Sequence, residues 1–286
     1  MAWDLLARMM RRLRPGPEPV VPKRVGLALG GGAVRGAAHL GVLAVLEREG
    51  IRPVVVAGTS VGAIVGAGVA AGIPVADMLA TFRKAAWHRL AVPAWWSRLS
   101  LLDTSPLGAL IEQVTHAKTF AELELPLATV SCDVLTGRRV VSTSGSLREA
   151  IIASAAIPGL FEPVRRGDAL LVDGGVIDNL PVDVARGLGA DYVVAVDIMP
   201  PLDGTFVPKD MRDVILLSWN IVQHEGEYGR SRADLVITPD VARVSLSDFS
   251  GVQEAFDAGV AAAETALPRL RSDLGLVPRR ERERSA

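Results

Sequence analysis

Residues 53–71 read PVVVAGTSVGAIVGAGVAA. The short apolar run Pro53–Ala57 has the length and β-branched content of a buried strand. Gly58-Thr59-Ser60-Val61-Gly62 follows at once and matches G-x-S-x-G, and a helical pattern then runs over Ser60–Ala71. Strand, tight turn and helix in that order are the context in which the motif marks a nucleophile elbow. The serine occupies a strained turn, and side chains two positions away on either side would crowd the backbone, hence Gly58 and Gly62. The helix turns its N-terminal dipole on Ser60, which favours an anionic intermediate. The plain alternative is a helix that starts on small residues.

The same alternation extends in both directions. Arg24–Leu29, Ala128–Asp133, Ala169–Val172, Tyr192–Val196 and Leu235–Thr238 read as strands. Helical patterns occupy Arg35–Glu49, Pro106–Thr115, Leu147–Ala155, Pro181–Leu188, Met211–Arg230 and Val252–Leu267. Alternating strands and helices predict an α/β layer fold. A length of 286 residues with 49% apolar content suits one large domain, and there is no internal repeat. We delimit a basic arm over residues 1–23, a catalytic domain over 24–275 and a charged tail over 276–286.

Composition narrows the function further. A net charge of −1 exerts no global pull on nucleic acid. The lone Cys132 can form neither an internal disulfide nor a cysteine-based zinc site, and it suits a reducing compartment. No apolar run approaches the roughly 20 residues of a membrane span, and none follows the first basic residues as in a signal peptide. The expected location is the cytoplasm. In the arm, Trp3, Leu5, Leu6, Met9, Met10 and Leu13 share a helical side opposite Arg8, Arg11, Arg12 and Arg14. Two readings stand: a helix lying on an anionic membrane surface, or a flexible arm that packs on its own domain or on another copy.

The second chemical motif is Gly30-Gly31-Gly32-Ala33-Val34-Arg35-Gly36, set between a strand and a helix. Consecutive glycines expose backbone N–H groups and can form an anion-binding concavity. A dinucleotide cradle would require an acidic residue closing the second strand, and that strand ends in Ala57-Gly58. No Gly-Lys-Ser/Thr follows, so a P-loop is excluded. An oxyanion hole serving Ser60 is the better reading, with Gly30, Gly31 and Gly32 as its backbone. Arg35 either orders the loop or faces a charged group of the substrate, or it makes an ordinary surface ion pair.

Serine chemistry needs a proton acceptor. His39 is flanked by Ala37, Ala38 and Leu40 and reads as a packed residue; His88 and His116 lack a neighbouring acid-turn motif. The order Ser60…Asp173…His224 reproduces a hydrolase triad, but His224 falls within a helical stretch rather than on a loop after a strand. Asp173 ends an apolar strand and precedes Gly174-Gly175, which permit a sharp turn. A strand end is where α/β folds assemble sites, and apolar surroundings raise a carboxyl pKa toward that of a base. The plain alternative is a turn aspartate.

These motifs, in this order, resemble the patatin-like phospholipases, particularly compact bacterial members related to the neuropathy-target-esterase group. Ala153-Ser154-Ala155-Ala156-Ile157-Pro158-Gly159 and Asp178-Asn179-Leu180-Pro181-Val182 support the match, which covers roughly residues 24–198. The resemblance implies a three-layer α/β/α sandwich with a mainly parallel central sheet. It also implies a Ser60–Asp173 dyad without histidine, an oxyanion hole from Gly31 and Gly32 with Arg35, and neither cofactor nor metal. The substrates implied are fatty-acyl esters of phospholipids or lysophospholipids. A triad esterase for small soluble esters and a non-catalytic lipid-binding regulator stay open as alternatives.

The Trp87–Leu102 connection is rich in Trp and Leu. It reads either as an apolar lid or acyl channel whose tryptophans meet a membrane, or as an ordinary core helix pair. With residues 1–14, it supplies the expectation of peripheral contact with the inner face of an anionic membrane.

Overall fold

The computed structural model describes residues 23–199, 207–208, 211–225 and 229–276, excluding the side chains of 87, 212–213, 216 and 223–225. The basic arm before residue 23 and the charged tail after 276 lie outside the described residues. Strand β1 (Val25–Leu29) enters a 3-10 turn (Ala33–Gly36) and helix α1 (Ala37–Arg48). Strand β2 (Val55–Thr59) leads into α2 (Val61–Ala70) and α3 (Val75–Arg83). A single helical turn, α4 (Trp87–Leu90), precedes β3 (Val92–Pro93), β4 (Ser100–Asp103) and α5 (Ser105–Thr115). Then come β5 (Leu127–Asp133), β6 (Arg138–Ser142), α6 (Leu147–Ser154), β7 (Gly159–Phe161), β8 (Val164–Arg166) and β9 (Ala169–Asp173). The chain ends with α7 (Val182–Gly187), β10 (Tyr192–Val196), α8 (Met211–Glu225), β11 (Leu235–Ile237) and α9 (Val252–Leu274).

The main sheet runs β11-β10-β1-β2-β5-β9-β8, with β6 paired to β5. Strands β11, β10, β1, β2 and β5 are parallel, while β6, β8 and β9 pair antiparallel. Period-two alternation sorts the buried side chains onto two faces. Leu27, Leu29, Val56, Val194 and Val196 pack with α1, α2 and α9 in the larger core. Ala28, Val55, Ala57, Val193 and Ala195 face the opposite way, against Val182, Val184 and Ala185 of α7. The result is the three-layer, mainly parallel α/β/α sandwich expected of the sequence.

Several elements depart from the sequence reading. Helix α3 is absent from the sequence reading, although Val75, Met78, Leu79 and Phe82 share one side at helical spacing. Helix α9 continues through Pro268 to Leu274 instead of stopping at Leu267. Proline removes one helical N–H, yet the turns beyond it are anchored: Arg271 Nη2 lies 2.5 Å from Glu49 Oε2 at the end of α1. Strands β3, β4 and β7 form a separate small sheet, each too short to carry a pattern of its own.

Helices α1 and α9 approach to backbone contact through two glycines. A Cβ on Gly41 would lie 2.1 Å from the Phe256 carbonyl oxygen, and one on Gly259 would lie 2.1 Å from that of Ala38. Backbone atoms cannot rotate aside, so overpacking outweighs the gain of about 1 kcal/mol in helix propensity. Gly41→Ala and Gly259→Ala should each lower the thermal midpoint by several degrees in calorimetry, whereas Gly187→Ala, which meets nothing within 4 Å, should not.

Candidate active site

The elbow is built from backbone constraints. Ser60 has φ 54° and ψ −124°, a positive φ that a residue with a side chain holds only under strain. Its neighbours leave no room for a Cβ: one on Gly58 would lie 2.4 Å from the Gly62 oxygen, and one on Gly62 would lie 2.1 Å from the Leu29 oxygen. The Ser60 N–H donates to Ser154 Oγ at 3.0 Å, and that hydroxyl donates to the Val130 carbonyl at 2.6 Å. Ser154, fully buried at the end of α6, therefore ties the elbow to β5. The serine of the elbow is legible in the sequence; the second serine that holds it gives no local signal beyond its place in the Ala153–Gly159 stretch.

Strand β5 also measures out the distance to the acid. Thr59 pairs with Val130 in parallel register, and Asp173 pairs with Ser131 in antiparallel register. Asp173 thus comes level with Ser60 across one intervening strand. The sequence argument for Asp173 assumes a carboxylate at the C-terminal end of a parallel strand, but β9 runs the other way. It begins beyond the end of β5 and travels back along it, so the residue is the expected one and the topological reason differs.

Asp173 is fully buried. Oδ1 accepts the Gly175 N–H at 2.8 Å. Oδ2 has no hydrogen-bond partner among the described residues. Burial pushes the carboxyl up to about 7, while the Ser60 hydroxyl and the Gly175 N–H pull against that rise. The hydroxyl is thus near enough to favour the charged carboxylate yet short of hydrogen-bond geometry, a looseness common before substrate binds. A Cβ on Gly174 would sit 2.3 Å from the Val130 oxygen, so the turn presses directly on β5.

Beyond Asp173 the chain is fastened to both other motifs. Thr59 Oγ1 donates to the Asp178 carbonyl at 2.9 Å, and Arg139 Nη1 stands 2.5 Å from Asp178 Oδ2. Asn179 Oδ1 accepts the Gly31 N–H at 3.0 Å. Sequence reasoning assigned no role to Thr59 or Asn179, because each acts on a partner far away in the chain.

The glycine loop lies beside the elbow, but its donors are distributed differently from expectation. The Gly30 N–H is committed to the Val196 carbonyl at 3.1 Å, and that of Gly31 to Asn179. Buried Arg35 donates from Nε to the Val244 carbonyl at 2.9 Å and from Nη2 to the Ala242 carbonyl at 3.4 Å, so its guanidinium orders the segment after β11. Burial lowers it to about 10, still a cation at neutral pH. The Gly30 and Gly31 N–H groups and Arg35 Nε and Nη2 are thus bonded to other segments, while Arg35 Nη1 is buried without a hydrogen-bond partner among the described residues. The amides of Gly32 and Ala33 have no acceptor among the described residues, and Ala33 holds a positive φ of 49° beside the elbow.

His39 is the packed residue the sequence suggests. It is fully buried and held neutral by burial, at about 4, and its Nε2 donates to the Gly30 carbonyl at 2.8 Å. His88 and His116 are exposed and away from the cavity at Ser60. The His224 side chain lies outside the described residues.

Ser60 opens onto an apolar cavity of about 150 Å³. It runs between α2, α3 and α5, walled by Ile64, Val65, Met78, Phe82, Leu110 and Val114. Leu90 and Ala91 contribute from the Trp87–Leu102 connection, as does Phe161 of β7. The rest of that connection is a short hairpin rather than a core helix pair, with Trp95 and Trp96 exposed. A serine at the end of a narrow apolar cavity, beside a buried carboxylate, is an arrangement for acyl transfer from an apolar chain. No helix among the described residues is long and apolar enough to cross a membrane.

Known proteins place this arrangement. An uncharacterized NTE family protein of Mycobacterium tuberculosis is 28% identical over 276 residues, covering 87% of this chain and 47% of the relative. The lysophospholipase nte1 of Aspergillus fumigatus is 32% identical over 204 residues, covering 70% of this chain and 13% of its own. This chain thus spans about half the length of the first of these relatives and a smaller part of the second. The crystal structure of VipD from Legionella pneumophila aligns at 14% identity with a TM-score of 0.49, over 86% of this chain and 67% of VipD. Residues 27–186, more than half of the chain, match the model for patatin-like phospholipase, and the chain belongs to that family.

Proposed function

We propose that the protein is a serine acyl hydrolase that cleaves fatty-acyl esters of phospholipids or lysophospholipids. One observation carries the reading: Ser60, on a strained elbow, stands between an apolar cavity and a buried Asp173 whose carboxyl is poised at about 7. The cavity suits an acyl chain, and membership of the family points to the same ester class.

The chemistry follows from that geometry. Ionised Asp173 accepts the Ser60 proton as Oγ attacks the acyl carbonyl, giving a tetrahedral intermediate with its charge on the former carbonyl oxygen. The amides of Gly32 and Ala33, with the N-terminus of α2, stabilise that oxygen. Protonated Asp173 then gives its proton to the departing alcohol, leaving an acyl-serine. Water attacks the acyl group as Asp173 takes its proton, and collapse returns that proton to Ser60 and releases the fatty acid. Histidine enters no step in this reading, which is consistent with His39 being packed against the Gly30 carbonyl and with His88 and His116 lining no part of the cavity.

Ser60→Ala should reduce hydrolysis of medium- and long-chain acyl esters by about three orders of magnitude or more, while His224→Gln stays near wild type. Loss of activity in both would favour a triad instead. Because Asp173 must be ionised, kcat/KM should fall as pH drops through about 7, and a profile flat from pH 5 to 9 would exclude it as the base.

Stability should move in the opposite sense. A carboxyl raised in the folded state binds more protons there than in the unfolded chain, so its contribution is fully present below the unfolded value of about 3.9 and is lost as pH rises through about 7. Asp173→Asn should abolish activity yet raise the thermal midpoint at pH 8.

A further inference from the structure

The hairpin beside the cavity carries a cluster of exposed apolar side chains. Within ten residues it carries Val92, Trp95, Trp96, Leu99 and Leu101, with Trp95 87% exposed and Trp96 67% exposed. Trp95 and Trp96 lie in the turn between β3 and β4, which the Ala94 N–H closes by donating to the Leu101 carbonyl at 3.0 Å. The hairpin is not loosely attached: β4 also pairs with β7, matching Leu102 with Phe161, and Ser100 Oγ bonds Glu162. Leu90 and Ala91 immediately before it, and Phe161 behind it, line the cavity that ends at Ser60.

The stretch that carries the hairpin is basic, and Glu162 behind it is bonded to Ser100. From residue 78 to residue 102 the sequence holds Arg83, Lys84, Arg89 and Arg98 and no Asp or Glu. All four cations are exposed. Asp103, which ends the stretch, is occupied by Ser105, whose N–H and hydroxyl both bond it. Tryptophan pairs a large apolar body with one N–H donor and prefers the boundary between hydrocarbon and water, and a surrounding ring of cations complements anionic headgroups.

We propose that the Val92–Leu101 hairpin docks the protein on a phospholipid membrane surface, with Trp95 and Trp96 entering the headgroup region beside the cavity and Arg98 facing anionic lipid. The proposal deepens the reading of Ser60 as a lipid acyl hydrolase and rests on it for its purpose: a docked hairpin lets an acyl chain pass from the bilayer into the cavity without crossing water. Because the apolar tip is small, the contact is reversible.

The test uses the full-length chain carrying Ser60→Ala, so that vesicles stay intact, and flotation with large unilamellar vesicles of phosphatidylcholine containing one part in four of phosphatidylglycerol. Adding Trp95→Ser and Trp96→Ser should weaken partition roughly tenfold or more. Vesicles of phosphatidylcholine alone should bind the parent more weakly. Bromine-labelled lipid should quench the fluorescence of the parent more than that of the double variant. Unchanged partition in the double variant, or no partition of the parent on either vesicle, overturns the proposal. A dimer in sizing that the double substitution dissociates, without any change in partition, overturns it in favour of a second copy on this face.

A monomeric short-chain ester, with Ser60 intact, separates this proposal from the functional reading. The double variant should keep wild-type turnover of that ester, which also certifies its fold. Failure of the wild type on every ester, with tryptophan-dependent partition retained, would remove the catalytic reading and leave the docking face. Robust hydrolysis with partition indifferent to the tryptophans would remove the docking face alone.

Discussion

Everything at this site depends on a shortage of space around one backbone turn. Ser60 can hold its positive φ only because Gly58 and Gly62 let strand β2, helix α2 and the end of β1 approach to distances that a Cβ forbids. Strain of this kind costs on the order of 1–3 kcal/mol and persists only where surroundings over-determine it. Here the surroundings are specific: the Ser60 amide is held by Ser154, Ser154 by the carbonyl of Val130, and β5 by the strands on either side. The same carbonyl bears on Gly174, so the elbow and the turn after Asp173 lean on one peptide unit.

Burial gives Asp173 its character and also makes it a liability to the fold. A carboxylate without water or a cation nearby is disfavoured when charged, and that is the property a general base at neutral pH needs. The protein relieves it only partly, with one amide on Oδ1 and a neighbouring hydroxyl, and leaves Oδ2 unbonded. Other buried charges are treated differently. Glu49 meets Arg271 and Arg48, and Asp178 meets Arg139. Asp173, beside Ser60, has no such cation partner among the described residues.

The two faces of the sheet divide the work. The small side chains Ala28, Ala57 and Ala195 pack under the short helix α7, a thin and closely fitted layer. The other face carries the longer helices, and where α2, α3 and α5 diverge they leave the apolar cavity. Glycine assists there too: a Cβ on Gly68 would meet Met78 Sδ at 2.4 Å, so α2 and α3 close together at that point while the cavity stays open nearer Ser60.

Much of this was legible in residue order. The β-branched runs, the turn glycines and the G-x-S-x-G context point to the alternating α/β architecture, the proposed nucleophile and the proposed base, because each expresses a local constraint on a few adjacent residues. Helix α3 keeps the helical spacing of Val75, Met78, Leu79 and Phe82 and is an omission of the sequence reading; the small sheet was not legible, since strands of two to four residues carry no full period. The bonding of the glycine loop is not legible for a related reason. Nothing near Gly31 announces that Asn179 takes its N–H, and nothing near Arg35 announces the carbonyls of Ala242 and Val244. Sequence alone determined which residues have the right chemistry. Tertiary structure alone decided which hydrogen-bond donors remain free, which carboxylate is stripped of water and which tryptophans face outward, because desolvation and hydrogen-bond competition are settled between segments that meet only when the sheet is assembled.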